Sequence, residues 1–216
     1  MTGAGTPRVV VLASGRGSNF AALTRAVDAG QCRAELVALI SDRTKAGALE
    51  RAAERAMPTA SVPKGKGEAR DAWSARLLEA ARAHEPDLIV LAGFMKVLGA
   101  SFVDAFERRI VNVHPSLLPS FAGLDAPGQA IAAGVRVSGC TVHLVDRHVD
   151  TGPILAQAAV AVAPGDDGPS LHARIQRREH VLLPRVVDAI GRGALVLDPE
   201  PRWEREGELA AWVEAP

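Results

Sequence analysis

Cysteine is scarce in this chain of 216 residues, charge is balanced, and no long apolar run is present. Two cysteines, Cys32 and Cys140, cannot build the multi-bridge framework of a small secreted domain. Two reduced thiols in a cytoplasm are the plainer reading. Lys and Arg number 25 and Asp and Glu number 25, so the formal net charge is zero. Chains whose main partner is nucleic acid are usually basic, so no nucleic-acid partner is expected. The most apolar stretch, residues 87–103, is interrupted by Lys96, two glycines and a serine. It falls short of the roughly 18–20 clean residues of a membrane span. The five apolar residues after Arg8 are too few for a signal-peptide core. No period of about 20–50 residues repeats, which excludes solenoids. What remains is a soluble, cytoplasmic protein with no membrane partner. Its composition, 48% apolar and 23% charged, is that of a globular chain. At roughly 1.4 times a common domain length, it reads as one domain over residues 1–216. Residues 8–197 form its core, and 198–216 a tail of unassigned role.

Apolar pattern predicts alternating strands and helices. Strands are expected at 9–13, 36–40, 60–62, 88–92 and 110–113. Helices are expected at 18–29, 46–56, 68–84, 102–106 and 126–133. Ser18 or Asn19 is the expected cap of the first helix, and Gly30 its end. Further on, strands at 140–145 and 154–162 follow one another with no helix between, which favours an antiparallel pair. A helix at 171–190 and a short strand at 195–197 close the chain. The fold class is α/β: a Rossmann-like, open, mostly parallel twisted sheet, helices on both faces, and an antiparallel edge strand pair.

Ser14-Gly15-Arg16-Gly17-Ser18-Asn19 joins the first strand to the first helix. Glycines there let the backbone approach an anion, and a helix N-terminus offers free N–H groups. Gly17, Ser18 and Asn19 are the candidate phosphate ligands. Phe20 stands where a dinucleotide fingerprint requires its third glycine, so a single phosphate fits better than a pyrophosphate. Asp42, after the second strand, is the residue a dinucleotide reading would need; it reads more simply as a strand-end turn residue.

Asn112 and His114 share one side of a strand by alternation. An amide and an imidazole together can stabilise an oxygen that becomes negative. A proline-rich loop, 115–123, follows. A polar loop, 146–153, lies between two apolar strands, as functional loops do.

These residues carry a resemblance. S-G-x-G-S-N at 14–19, A-G-F-M at 92–95, N-x-H-P-S-L-L-P at 112–119 and D-x-G-P at 150–153 resemble the phosphoribosylglycinamide formyltransferases of the folate-dependent formyltransferase family. The match runs from residue 8 to about 197. It implies formyl transfer from 10-formyltetrahydrofolate, as co-substrate, to the amine of the ribonucleotide, in purine synthesis. It implies no metal, small-molecule partners only, and room for a homodimer. Asn112, His114 and Asp150 map onto the catalytic trio. Asn112 and His114 would hold the oxyanion, and Asp150 would pair with His114 and assist proton transfer through water. Gly17, Ser18 and Asn19 map onto the phosphate site and Glu179 onto a ribose ligand. Arg70, Met95, Lys96, Val97, Leu98, Val145 and Asp146 map onto the folate pocket, and His143 onto a histidine that orients the catalytic aspartate.

Three positions depart from the family pattern. Lys96 stands where Arg is common and keeps the charge without the fork. Ala122 stands where Pro is common, and Asp125 where His is usual. Two rivals accompany the resemblance: a formyltetrahydrofolate deformylase, with water in place of the amine, and a non-catalytic nucleotide-binding module. An NAD-dependent oxidoreductase using Asp42 is the third.

Overall fold

The computed structural model describes residues 5–204. Strand β1 (Arg8–Leu12) leads through the glycine turn into α1 (Ser18–Asp28). β2 (Glu35–Ser41), α2 (Gly47–Ala53), β3 (Thr59–Ser61) and α3 (Arg70–Arg82) follow. Then come β4 (Leu88–Leu91), α4 (Ala100–Ala105), β5 (Ile110–His114) and α5 (Ala126–Ala132). β6 (Val137–Leu144), β7 (Ile154–Ala161) and the long α6 (Gly168–Gly191) complete the main body.

The strands form one seven-stranded sheet in the order β3-β2-β1-β4-β5-β6-β7. The first five are parallel, as strands linked by helices are; β6 is antiparallel to both β5 and β7. The expected α/β class and antiparallel edge pair are therefore present. β1 and β4 are buried on both faces, which is why their sequences read as unbroken apolar runs. One face packs against α1 and α6 through Phe20, Leu23, Ile175 and Leu183. The other packs against α3 and α4 through Trp73, Leu77 and Phe102. Each such fully buried side chain contributes about 1.5–3 kcal/mol. The Trp73 indole N–H donates to the Val62 carbonyl at 2.8 Å, so its one polar atom is satisfied.

Three local expectations are corrected. α1 is entered through Gly17, at φ 76°, with no side-chain cap from Ser18 or Asn19. Left-handed backbone favours glycine, and a Cβ at Gly17 would fall 2.8 Å from that of Ala48. α2 is shorter than 46–56 because Ala56, at φ 52°, turns the chain before Pro58. The last short strand, β8 (Leu195–Val196), does not stand alone but pairs with β9 (Arg202–Trp203) in the tail. The Trp203 indole N–H donates to the Leu155 carbonyl at 3.1 Å, which docks this hairpin on β7. Residues 205–216, including Trp212, lie outside the described residues. Among the described residues, no helix is long and apolar enough to cross a membrane.

Gly139 tests the tightness of the β6–β7 pair. A Cβ there would lie 2.1 Å from the Ala158 carbonyl oxygen, whereas one at Gly15 meets nothing within 4 Å. Gly139→Ala is expected to cost at least about 2 kcal/mol. Gly15→Ala should stay within about 0.5 kcal/mol. Thermal melts of the two variants check both figures.

Candidate active site

One row of register partners crosses the middle of the sheet: Leu12, Leu91, Asn112 and His143. Two residues further toward the strand ends lie Ser14, Gly93, His114 and Thr141. Thr141 is the register partner of His114, and the Ser14 N–H donates to the Gly93 carbonyl at 3.1 Å. Strands lie about 4.8 Å apart, so His114 stands roughly 10 Å from the start of the glycine turn.

Alternation separates the two faces of β5 and β6. Val111, Val113, Cys140, Val142 and Leu144 enter the core against α6. Asn112, His114, Thr141 and His143 therefore share the opposite face. On that face Ile110 packs against α4, and beyond it, where the 115–123 loop lies, polar side chains take over. Asn112 Nδ2 donates to His143 Nε2 at 3.1 Å, and His143 Nδ1 lies 2.8 Å from the Leu144 carbonyl. Both bonds suit a neutral imidazole with its proton on Nδ1. Burial also pushes the His143 pKa down, which favours that neutral form.

His114 is 5% exposed. Its Nε2 donates to the Phe121 carbonyl at 2.9 Å, and its Nδ1 stands 3.3 Å from Asp150 Oδ2. The same Asp150 oxygen accepts the Gly123 N–H at 2.8 Å, and Oδ1 lies 3.7 Å from His143 Nε2. The structure thus brings Asn112, His114, Asp150 and His143 together. Asp150 arrives from an unexpected direction. β6 ends level with Val111, and the Val145 N–H donates to the Ile110 carbonyl, so the loop starts at the far end of β5 and folds back over the face.

Sequence reasoning missed the residues that hold the 115–123 loop. Thr141 Oγ1 donates to the Ser116 carbonyl at 2.7 Å and accepts the Leu118 N–H at 3.0 Å. Gln157 Nε2 donates to the Leu118 carbonyl and to Thr141 Oγ1, both at 2.9 Å. Period two was the available signal for Thr141, which lies two residues before His143.

The glycine turn exposes the start of α1, where the first N–H groups have no helical acceptor. Ser18 is half-buried there. The Asn19 side chain is committed elsewhere: its Nδ2 donates to Glu179 Oε2 at 2.8 Å. At the turn itself Asn19 has its backbone N–H, rather than its amide, to offer. Glu179 is 3% exposed, and desolvation raises its carboxyl pKa.

Met95, Lys96 and Val97 are exposed, with Met95 at 57%, while Leu98 is buried. Met95 is therefore a surface side chain on a wall. Its N–H donates to Ser14 Oγ at 2.8 Å, tying this wall to the glycine turn. Arg70 opens α3 on the same face, exposed beside Asp71. Val145 packs partly into the core below α3 and α4. Asp146 accepts from the His148 N–H and Thr151 Oγ1, closing its loop. Asp125 serves the local backbone, capping α5 at φ 53° and accepting the Gly128 N–H. Asp42 is buried, and neither carboxylate oxygen has a hydrogen-bond partner among the described residues. Burial pushes the Cys140 thiol up to about 12, which disqualifies it as a nucleophile. Among the described residues, no group of three or more His, Cys, Asp or Glu is placed to hold a metal ion.

The formyl transferase family profile matches residues 7–187. The phosphoribosylglycinamide formyltransferase of Mycobacterium tuberculosis is 48% identical over 183 residues, covering 85% of this chain and 84% of that one. The trifunctional purine biosynthetic protein adenosine-3 of Drosophila melanogaster is 44% identical over 195 residues, but the chain spans only 14% of its length. The crystal structure of glycinamide ribonucleotide transformylase 1 from Symbiobacterium toebii superposes with a TM-score of 0.87 at 38% identity, covering 94% of this chain and 95% of that one.

The buried Glu179 makes stability depend on pH. A carboxyl whose pKa is raised by folding holds its proton more tightly in the folded state. Above that raised value the fold carries the penalty of a buried charge; as pH falls toward the ordinary value of 4.5, the penalty disappears. Glu179→Gln should therefore melt above wild type at pH 8, with the two melting temperatures converging as pH approaches 4.5. Melts across that range check this. A variant that melts below wild type at pH 8 contradicts it.

Proposed function

The chain belongs to the formyl transferase family, and we propose that it moves the formyl group of 10-formyltetrahydrofolate onto the amine of 5'-phosphoribosylglycinamide, a step of purine biosynthesis. The observation that carries this reading is the convergence of Asn112, His114 and Asp150 on one sheet face, about two strand spacings from an open anion cradle.

The reaction needs an uncharged amine beside the formyl carbonyl carbon. Attack forms a C–N bond, leaves negative charge on oxygen and positive charge on nitrogen. Asn112 has two N–H groups on Nδ2; His143 takes one and the other serves the oxygen. His114 has Nε2–H committed to Phe121, so only its Nδ1 faces the reaction. That nitrogen donates when the ring is an imidazolium, shared between Asp150 and the oxyanion. Asp150, through water, takes one proton from the new ammonium and passes one to the departing N10 of the folate. The amine loses a proton and N10 gains one, so the step balances without a covalent enzyme intermediate.

The phosphate rests on the N–H groups of Gly17, Ser18 and Asn19, with the Ser18 hydroxyl beside them. Glu179 accepts from ribose hydroxyls. The donor lies along Met95, Lys96, Val97 and Leu98 on one wall and Val145 and Asp146 on the other, with Arg70 and Lys96 near its carboxylates. The thiols of Cys32 and Cys140, each buried and pushed up to about 12, suit a reducing cytoplasm.

An assay that follows tetrahydrofolate release with and without the ribonucleotide tests the reading. Release that depends on the acceptor supports transfer; equal release without it makes the enzyme a deformylase. His114→Ala and Asp150→Asn should each lower kcat by at least about a hundredfold, the usual loss for an oxyanion or proton-transfer group. Near-normal turnover in either variant removes that residue from the mechanism. Ser18→Asp should raise KM for the ribonucleotide at least about tenfold through charge repulsion, leaving KM for the folate unchanged.

A further inference from the structure

Apart from Asp150, whose carboxylate meets Gly123 and His114, the loop that carries it is bonded mainly to itself. Asp146 caps it internally through the His148 N–H and Thr151 Oγ1. Gly152 is wedged so that a Cβ would lie 1.9 Å from the Leu144 carbonyl oxygen. Asp150 itself sits at φ 56°, a left-handed backbone that a non-glycine residue keeps only under constraint.

One further side chain of the loop crosses to another element. Arg147 Nε donates to Asp104 Oδ1 at 2.8 Å, and Arg147 Nη2 to Asp104 Oδ2 at 2.7 Å. This is the two-pronged geometry that makes an exposed pair count. Asp104 lies on α4, which continues directly from the 95–99 wall. We propose that the Arg147–Asp104 fork is a strut between the two walls of the donor cleft, and that Arg147 is a positioning residue that aims the Asp150 carboxylate at His114. The proposal rests on the reading of Asp150 as the proton-transfer group.

Four proteins test it: wild type, Arg147→Ala, Asp104→Ala and the double alanine variant. Hydrogen exchange of the 146–151 amides is read without substrate, and kcat and both KM values are read by the release assay. Each single variant should exchange faster in that loop. Each should lose about two- to fivefold in kcat, the range an exposed, well-formed ion pair supports. KM for the ribonucleotide should not change, since its cradle is elsewhere. The double variant should be no slower than the singles, because one interaction has been removed in all three. Arg147→Lys, which keeps the charge and loses the fork, should fall between wild type and Arg147→Ala. Wild-type kcat and exchange in the singles, or losses that multiply in the double, overturn the strut. A wild type that turns over no ribonucleotide overturns the functional reading instead, and the exchange data still decide whether the fork holds the loop.

Discussion

The Asp150 carboxylate, withdrawn from water between two imidazoles, is the constraint on which the surrounding architecture depends. A buried charge left without partners costs several kcal/mol. Here one oxygen accepts the Gly123 N–H and stands 3.3 Å from His114 Nδ1, while the other lies 3.7 Å from the unprotonated Nε2 of His143. A left-handed backbone adds a strain of about 1–3 kcal/mol. Phe121 and Gly123 are two residues apart, so one short stretch of main chain fixes both members of the acid–imidazole pair. Thr141 and Gln157 in turn hold the start of the same loop, at Ser116 and Leu118. The geometry of the candidate site is thus built largely from backbone atoms, with side chains from β6 and β7 acting as pins.

Strand reversal makes this possible. An antiparallel β6 places His143 opposite Asn112 and Thr141 opposite His114. It also starts the 145–153 loop at the far end of β5, from where the chain folds back past the apolar part of the face, packed on α3 and α4, to its polar part. The β5–β6 link does carry a helix, α5, but it packs beside α6 on the opposite face. The polar face of β5 and β6 is consistent with that placement.

Much of this was legible in the sequence. Alternation of apolar runs with amphipathic stretches gave the order of elements, because β1 and β4 are buried on both faces and cannot read otherwise. Asn112, His114 and Asp150 were legible through their motifs. Local chemistry was less so. The start of α1 turned on the close approach of Ala48, which no nearby residue announces. Asp125 looked like an intrusion of charge, and it is a helix cap. Asn19 looked like a phosphate donor, and its amide is held by Glu179, 160 positions away. Pairings over such distances leave no periodic trace in the chain.

The bond from the Met95 N–H to Ser14 Oγ joins the 95–98 segment to the glycine turn at a shared point. On the proposed reading one borders the donor and the other the acceptor phosphate, so a shift of that point is felt at both. Thermodynamic reciprocity then applies: whatever free energy one substrate spends in shifting that point, the other gains or loses in equal measure.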